Sequence, residues 1–351
     1  MFTQQKNYMN VTYLIGNGFD LHLGMKTSFK DICAAYIIEK TGDDILNGFK
    51  CELEKDAPNY CNWSDFEISM GKYSENFENF EDFKKCVSDF RQFMISYLSK
   101  EEKEYENFLN ENHVPAYAYK DFITNIYNSI YLSPKESLVE SIKSRGNIST
   151  TVISFNYTTI FDKIMNRSNI ISSFANDGES IFHIHGVLGE NIRFGVDNED
   201  QIKNEMYRGS KKCQRLFVKT MLNNEIFSIT LKKIEKTLSN SEVIVVYGMS
   251  FGNSDMTWKK YILNWLMKDK NHILFYFWHG DFKNQNLYID DILNREDDLK
   301  KVLLNKMGCS INKDSLADQI VIPVNKDIMD FTDYVKKINS QKPSFISKQI
   351  V

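Results

Sequence analysis

Short apolar runs that end in glycine or polar residues mark the candidate strands of this chain. The first ends abruptly in "LIGNGFD", and later runs are rich in β-branched and aromatic residues. Their length and composition predict buried strands. The runs cover residues 11–15, 150–155, 181–185, 242–248 and 272–277, and "DQIVIPV" near residue 320 is one more candidate.

Helical patterns fill most of the intervals between these runs. Residues 28–40 predict one helix, and residues 211–238 and 254–268 predict others. "SPKESLVESIKS", from residue 133, places a serine before a proline and an acidic first turn, which is typical of a helix start. A stripe at 3.6-residue spacing predicts an amphipathic helix. It consists of Phe83, Val87, Phe90, Met94 and Tyr97.

Strands that alternate with helices predict an α/β fold, here a Rossmann-like, mostly parallel sheet flanked by helices. No convincing strand is found between residues 41 and 146, so this block is predicted to be a large helical insertion after the first strand-helix unit. The predicted organisation has a discontinuous core at 1–40 and 147–325, the insertion at 41–146, and a C-terminal helix or tail at 326–351.

Charge and cysteine content exclude several classes of protein. A formal charge of -4, from 43 basic and 47 acidic residues, is the wrong sign for a protein that relies on nucleic-acid phosphates. The six cysteines form no C-x-x-C pair, which argues against a zinc ribbon and suits a reducing compartment. The first residues do not have the pattern expected of a signal peptide, and no window of about 18 apolar residues is found. We expect a cytoplasmic protein without a membrane partner.

Small and polar residues follow four of the predicted strands. Ligands of doubly wound sheets bind at the carboxyl ends of the strands, and glycines there allow a phosphate to approach backbone amides. The sequence therefore predicts a ligand pocket at this edge. The residues concerned are Gly16, Asn17, Gly18 and Asp20; Asn156 and Thr158; His183, His185 and Gly186; and Gly248 and Ser250.

Each of these motifs also has a simpler explanation. Leu21 stands where G-x-G-x-x-G requires its last glycine, so the first turn fits an ordinary strand-helix junction as well. Asn156 or Thr158 fits a helix cap, as does Ser254, and Asp20 fits a helix cap as well.

The pair His183 and His185 also leaves two explanations open. On a strand the two side chains project to the same face, where they can hold a metal together. Asp20, His22 and Asp255 are the candidates for the remaining ligands. The alternative is one packed histidine and one exposed at the end of the strand.

The strand-end motifs carry a family resemblance. "LIGNGFDLHLG", "SFNYTTIFDKI", "IFHIHG" and "VVYGMSFGNSD" occur in this order, and through them residues 11–280 resemble the bacteriophage abortive-infection AbiH-like family of phage-defence proteins. "WSDFE", at residues 63–67, also resembles that family, although no chemical role follows for it.

The same motifs are similar to the sirtuin-like NAD-binding fold. The resemblance implies a pocket that binds NAD and hydrolyses it to nicotinamide and ADP-ribose, without a metal, and with Asn156 and His185 as catalytic residues. Thr158 replaces an acid of the sirtuin motif and no cysteine quartet is present, so a protein deacetylase is not expected. The implied cofactor-binding residues are Gly16, Asn17, Gly18, Asp20, Gly24, Gly186, Gly248 and Ser250. Asp20 would bond to a ribose hydroxyl, with a helix cap as its alternative role.

Two other functions remain open at this point. One is a nucleotide sensor that catalyses nothing, and the other is a metal-dependent hydrolase built on His183, His185 and Asp20. The expected partners are NAD or a related nucleotide and a phage-derived or cellular activator, and the aromatic-rich insertion leaves a homo-oligomer open.

Overall fold

A computed structural model describes residues 8–56, 63–111, 147–167, 181–277, 288–310 and 313–323. Six strands form one sheet in which every neighbouring pair is parallel, in the order β3-β2-β1-β4-β5-β6. The expected parallel sheet flanked by helices is thus confirmed. The strands are β1 (Tyr8–Ile15), β2 (Asn147–Ser154), β3 (Ile181–His183), β4 (Val243–Tyr247), β5 (Ile273–Phe277) and β6 (Ile320–Val321).

The strand β3 is shorter than the sequence predicts. It ends at His183, and the chain then turns through Gly186, whose φ is +78°. The guanidinium of Arg193 donates hydrogen bonds to the carbonyls of His183 and Ile184, at the point where the strand ends. The prediction that His183 and His185 lie on one strand and share a face is therefore wrong.

Helices cover both faces of the sheet and also form a block of their own after β1. No helix in the described part of the chain is long and apolar enough to cross a membrane. The helix predicted at residues 133–144 lies outside the described residues. The helices are α1 (Gly18–His22), α2 (Phe29–Ile38), α3 (Asp44–Asp56), α4 (Trp63–Tyr73), α5 (Phe80–Glu111), α6 (Ile160–Arg167), α7 (Glu205–Arg208), α8 (Lys211–Phe217), α9 (Lys219–Ile226), α10 (Ser228–Ser239), α11 (Met256–Lys268), α12 (Ile289–Lys306) and α13 (Lys313–Ala317).

The predicted helical stretch at residues 211–238 is divided into α8, α9 and α10. Val218 adopts an extended conformation between α8 and α9, where it forms a β-bridge with Val196. The Lys219 amide donates to the Val196 carbonyl at 2.8 Å, which fixes the start of α9 against this segment. Because of this division, the side chain of Lys219, the first residue of α9, points into the protein.

Alternation along the central strands separates two hydrophobic cores. Val243 and Val245 of β4 pack with α1, α6 and the end of α5, whereas Ile244 and Val246 pack with α10, α11 and α12. Both faces of the strand are buried, which explains its uninterrupted apolar sequence.

A third hydrophobic cluster joins α2–α5 to residues 194–218. The predicted stripe of α5 is buried there as far as Met94, and Tyr97 packs at its margin. Phe194 contacts Phe66, Phe90 and Phe217 through its ring. The helical block thus packs on the segment that follows β3. The proposed domain boundaries at residues 40 and 147 stay a prediction.

Candidate functional site

A buried carboxylate joins the turn after β1 to the segment after β2. Asp20, the third residue of α1, is 1% exposed. The Asn156 Nδ2 donates to its Oδ1 at 3.1 Å, and the Thr158 Oγ1 donates to its Oδ2 at 2.6 Å. Asp20, Asn156 and Thr158 are called the Asp20 cluster below. None of the three side chains caps a helix here, so the alternative explanation that they are helix caps does not apply.

Burial dominates the protonation of Asp20. It raises the pKa of this carboxyl from 3.8 to about 7, against the two hydrogen bonds that favour the charged form. The nearby carboxylates of Glu102 and Asp162 raise the pKa of Asp20 further. Thr158 stands where the resemblance has an acid, yet a carboxyl group still lies beside the Asn156 amide, because Asp20 supplies it.

A second polar cluster surrounds His185, in the turn after β3. The His185 Nε2 lies 3.7 Å from the Asp255 Oδ1, which is longer than a hydrogen bond. The Lys219 Nζ lies 3.6 Å from the same oxygen and 2.9 Å from the Glu67 Oε2. Glu67 comes from α4, Lys219 from the start of α9, and Asp255 from the short helix Asn253–Asp255 that precedes α11. These four residues are the His185 cluster.

Burial and charge give the His185 cluster a defined protonation pattern. Burial lowers the pKa of His185 to about 4 and Lys219 lowers it further, while Asp255 opposes the change, so the imidazole is neutral at pH 7. Burial alone would lower the pKa of Lys219, but Glu67 and Asp255 outweigh it and raise the pKa above its ordinary value. Burial alone would raise the pKa of Asp255, but Lys219 and His185 outweigh it and lower the pKa.

A cavity of about 430 Å³ adjoins the His185 cluster. His185, Lys219 and Asp255 line it together with Asp197, whose carboxylate accepts hydrogen bonds from the Thr257 amide and hydroxyl. These inner residues are largely buried, whereas Asn224, Glu235 and Lys260 are exposed where the cavity passes between α10 and α11. A small ligand in this cavity would meet a neutral imidazole and a paired lysine.

Each of the two clusters contains a buried polar atom that lacks a hydrogen-bond partner. The His185 Nδ1 and the Asn156 Oδ1 are both buried, and neither bonds to any described residue. Such atoms cost about 1–3 kcal/mol each unless a ligand or water satisfies them. A ligand that forms a hydrogen bond with either atom would therefore remove this cost.

The glycines at the first turn pack on the loop after β4. A Cβ on Gly18 would lie 2.5 Å from the Gly248 Cα, and one on Gly16 would lie 2.6 Å from the Gly248 oxygen. The Gly16 amide donates to the Tyr247 carbonyl and the Gly18 amide to the Gly248 carbonyl, both at 2.8 Å. Close backbone approach explains the glycines, and these two amides are already engaged within the protein.

The other predicted residues lie apart from the cavity. The Asn17 Nδ2 donates to the Thr27 carbonyl, and Ser250 is exposed in the loop after β4. Gly24 has a φ of +79° in the turn after α1, and Gly186 packs against the Asn191 carbonyl. These contacts give each residue a local structural role, and its predicted contact with NAD stays a prediction.

The structure does not bring Asn156 and His185 together directly. Asn156 belongs to the Asp20 cluster and does not line the cavity, whereas His185 does. The rings of Phe155 and Tyr157, on either side of Asn156 in sequence, lie 5.6 and 6.1 Å from the imidazole. The two clusters are thus linked through the segment after β2.

The proposed metal ligands are also separated. The His183 Nε2 bonds to the Asp162 Oδ1 at 3.0 Å, while His185 and Asp20 belong to different clusters. Within the described ranges, no three histidine, cysteine, aspartate or glutamate side chains form a group that could hold a metal ion.

Sequence reasoning missed three residues of the site: Glu67, Lys219 and Asp197. Glu67 ends the motif "WSDFE", and its Oε1 also accepts a hydrogen bond from the Gly195 amide at 3.3 Å. That motif was the signal in the sequence that could have identified Glu67, because its glutamate has a partner in the site. Lys219 and Asp197 carry no local signal in the sequence.

Comparisons with known proteins give one family. The family model described as bacteriophage abortive infection AbiH matches residues 12–277, about three quarters of the chain. The match begins within β1, ends with β5, and includes the Asp20 cluster and the His185 cluster. A search of curated proteins finds no match.

Proposed function

This chain belongs to the bacteriophage abortive infection AbiH family, and on that premise we propose that it hydrolyses NAD during phage defence. Family membership indicates the defence role. The proposal adds a reaction, the cleavage of NAD to nicotinamide and ADP-ribose, and a place for it at the carboxyl edge of the sheet. A phage-derived or cellular activator remains part of the proposal.

The topology of the sheet supports a dinucleotide as the ligand. The strand order 3-2-1-4-5-6 is common among dinucleotide-binding doubly wound sheets, whose ligands bind where the order reverses. Here it reverses between β1 and β4, where Gly16 and Gly18 meet Gly248. Because the Gly16 and Gly18 amides are engaged, we expect the phosphates to bind other donors.

The observation that carries the proposal is His185, a buried neutral imidazole on the wall of the cavity. In the proposed reaction the bond between the ribose C1′ and the nicotinamide nitrogen breaks, and its electron pair neutralises the pyridinium. A water oxygen bonds to C1′, and His185 accepts the proton that the water loses and later releases it to solvent. Asp255, 3.7 Å away, stabilises the imidazolium that forms.

Asn156 contributes to the same proposal as a hydrogen-bonding group. Its buried Oδ1 has no partner among the described residues, so it is free to accept a bond from the water or from the nicotinamide carboxamide. The carbonyl of a fixed amide is suited to orientation and not to proton transfer, which leaves the base role to His185.

The test measures nicotinamide release from NAD by purified protein, with and without an extract of phage-infected cells. We expect His185→Asn to reduce the rate at least about 100-fold. His183→Asn is the matched control, because that histidine bonds to Asp162 outside the cavity and should keep the wild-type rate. Equal rates for wild type and His185→Asn would overturn the proposal.

A nucleotide sensor without catalysis is the second candidate. Thr158 in place of the acid favours it, because the resemblance associates that acid with the active pocket. Calorimetric binding of NAD without nicotinamide release, even in infected extract, would support this alternative over hydrolysis.

A further inference from the structure

We infer that Asp20 is a positioning residue that fixes the Asn156 side-chain amide, so that the Asn156 Oδ1 is presented to a hydrogen-bond donor of the ligand or of the attacking water. The ligand named here rests on the proposed function. The positioning itself rests on the contacts of the Asp20 cluster.

The orientation of the amide follows from donor and acceptor chemistry. An ionised carboxylate only accepts hydrogen bonds, so the group that faces Asp20 at 3.1 Å must be the Asn156 Nδ2. The Oδ1 then points away from Asp20. It is buried and bonds to no described residue, although Asn156 is only 3% exposed. The hydrogen-bonding capacity of the Oδ1 is satisfied only when a donor from outside the cluster reaches it.

Thr158 holds Asp20 in place. Its hydroxyl donates to the second carboxylate oxygen at 2.6 Å, so each oxygen of Asp20 accepts one bond from the segment after β2. Hydrogen bonds to both oxygens restrain rotation of the carboxylate, and the carboxylate in turn restrains the plane of the amide that it binds.

The same contacts change the role predicted for Asp20. With both oxygens engaged and 1% exposure, Asp20 is not available to a ribose hydroxyl. It acts on the ligand only through Asn156, and as the third residue of α1 it lies outside the lining of the cavity.

Other charged groups make the positioning depend on pH. Glu102 of α5 and Asp162 of α6 face Asp20, and they are paired with Lys163 and His183. Protonation of Asp20 turns one of its oxygens into a donor and removes one acceptor from the cluster. We expect the Asn156 amide to be fixed above the midpoint of this titration, near pH 7, and less restrained below it.

The first test follows the Asn156 amide directly by NMR of protein labelled with ¹⁵N-asparagine. Asn156→Gln identifies the signal, because it removes only that label and keeps an amide. The wild-type signal should titrate near pH 7, and Asp20→Asn should abolish the titration. A wild-type signal that does not titrate, or one that still titrates in Asp20→Asn, would overturn the inference.

A second variant keeps the test decisive if Asp20→Asn fails to fold. Thr158→Val removes one donor to the ionised carboxylate, so the midpoint of the Asn156 titration should rise. An unchanged midpoint would count against the contact. Neither NMR readout requires activity, so a protein that releases no nicotinamide would end the proposed function and leave the positioning intact.

The activity arm separates positioning from a structural role. Asp20→Asn should lower kcat for NAD about 100-fold with little change in KM, because ligand contacts remain while the amide is misoriented. Asp20→Glu, which keeps the carboxylate, should recover part of the rate. A wild-type kcat in folded Asp20→Asn would overturn the positioning role even if the NMR titration were observed.

Discussion

At the scale of single residues, Asp20 and His185 are both buried and depart from their ordinary pKa in opposite directions. Burial raises the pKa of Asp20 to about 7 and lowers that of His185 to about 4. Between pH 4 and 6.5, folded Asp20 keeps a proton that the unfolded chain has released. Over the same range, unfolded histidine binds a proton that folded His185 does not. The two residues therefore give opposite slopes to the dependence of stability on pH.

Single variants should expose these two slopes. As pH rises from 4 to 7, the raised pKa of buried Asp20 lowers the unfolding free energy of the wild type. Asp20→Asn lacks this carboxyl, so its unfolding free energy should rise relative to that of the wild type. As pH rises from 4 to 6.5, the lowered pKa of His185 raises the unfolding free energy of the wild type. His185→Gln lacks this imidazole, so its unfolding free energy should fall relative to that of the wild type. Each slope is at most about 1.4 kcal/mol per pH unit. Urea unfolding at several pH values checks this, and curves parallel to wild type would contradict it.

The buried pair of Lys219 and Glu67 gives a prediction about stability. Lys219→Met removes the cation that pairs with the buried carboxylate of Glu67 and with Asp255, and it should cost about 3–5 kcal/mol. Adding Glu67→Gln should recover part of that loss. The control is Arg215→Met, which breaks an exposed pair with Glu225 and should cost no more than about 1 kcal/mol. Denaturant unfolding of these variants measures both, and equal losses would contradict the account.

At the scale of elements, the contact between the β1–α1 turn and the β4 loop depends on glycine. Gly18→Ala places a Cβ against the backbone of Gly248, which cannot move aside as a side chain can. We expect a loss of about 1–3 kcal/mol. Gly48→Ala is the matched control, because Gly48 lies inside α3 with nothing near its added Cβ, and it should gain about 0.5–1 kcal/mol. Thermal unfolding that shifts equally in both would contradict this.

Much of the element structure was predictable, because apolar runs and helical stripes are local signals. The end of β3 was not, since it involves Arg193, ten residues after His183, which donates to the carbonyls of His183 and Ile184. The reason for Gly16 and Gly18 was not predictable either. It lies in Gly248, more than 200 residues later, and a sequence shows only that glycine is present.

The candidate site was predictable in part for the same physical reason. His185 and Asn156 follow apolar runs, which marks them as strand-end residues. Lys219 is one lysine among several in a helical stretch, and it gains its role only from a partner, Glu67, 152 positions earlier. Burial and charge pairing arise from tertiary packing, so neither the neutral imidazole nor the cavity could be derived from spacing.

At the scale of the whole molecule, the third hydrophobic cluster makes the helical block and the segment that follows β3 interdependent. Phe194→Ala should cost about 3–5 kcal/mol, because this fully buried ring contacts α4, α5 and α8. Circular dichroism and tryptophan fluorescence should report one coincident transition in the wild type and in the variant. A separate early transition of the helical signal would show that the two parts unfold independently.

The position of β1 in the sheet has a consequence for synthesis on the ribosome. This strand pairs with β2 from Tyr8↔Asn147 onward and with β4 from Val11↔Val243 onward, so its second partner is translated some 230 residues after it. At about 5–20 residues per second, β1 waits roughly 10 to 50 seconds with an open edge. The growing chain should therefore need a chaperone on this apolar segment. The junction of Gly18 with Gly248, and the site beside it, should form only when translation is well advanced, so fragments released earlier should be inert.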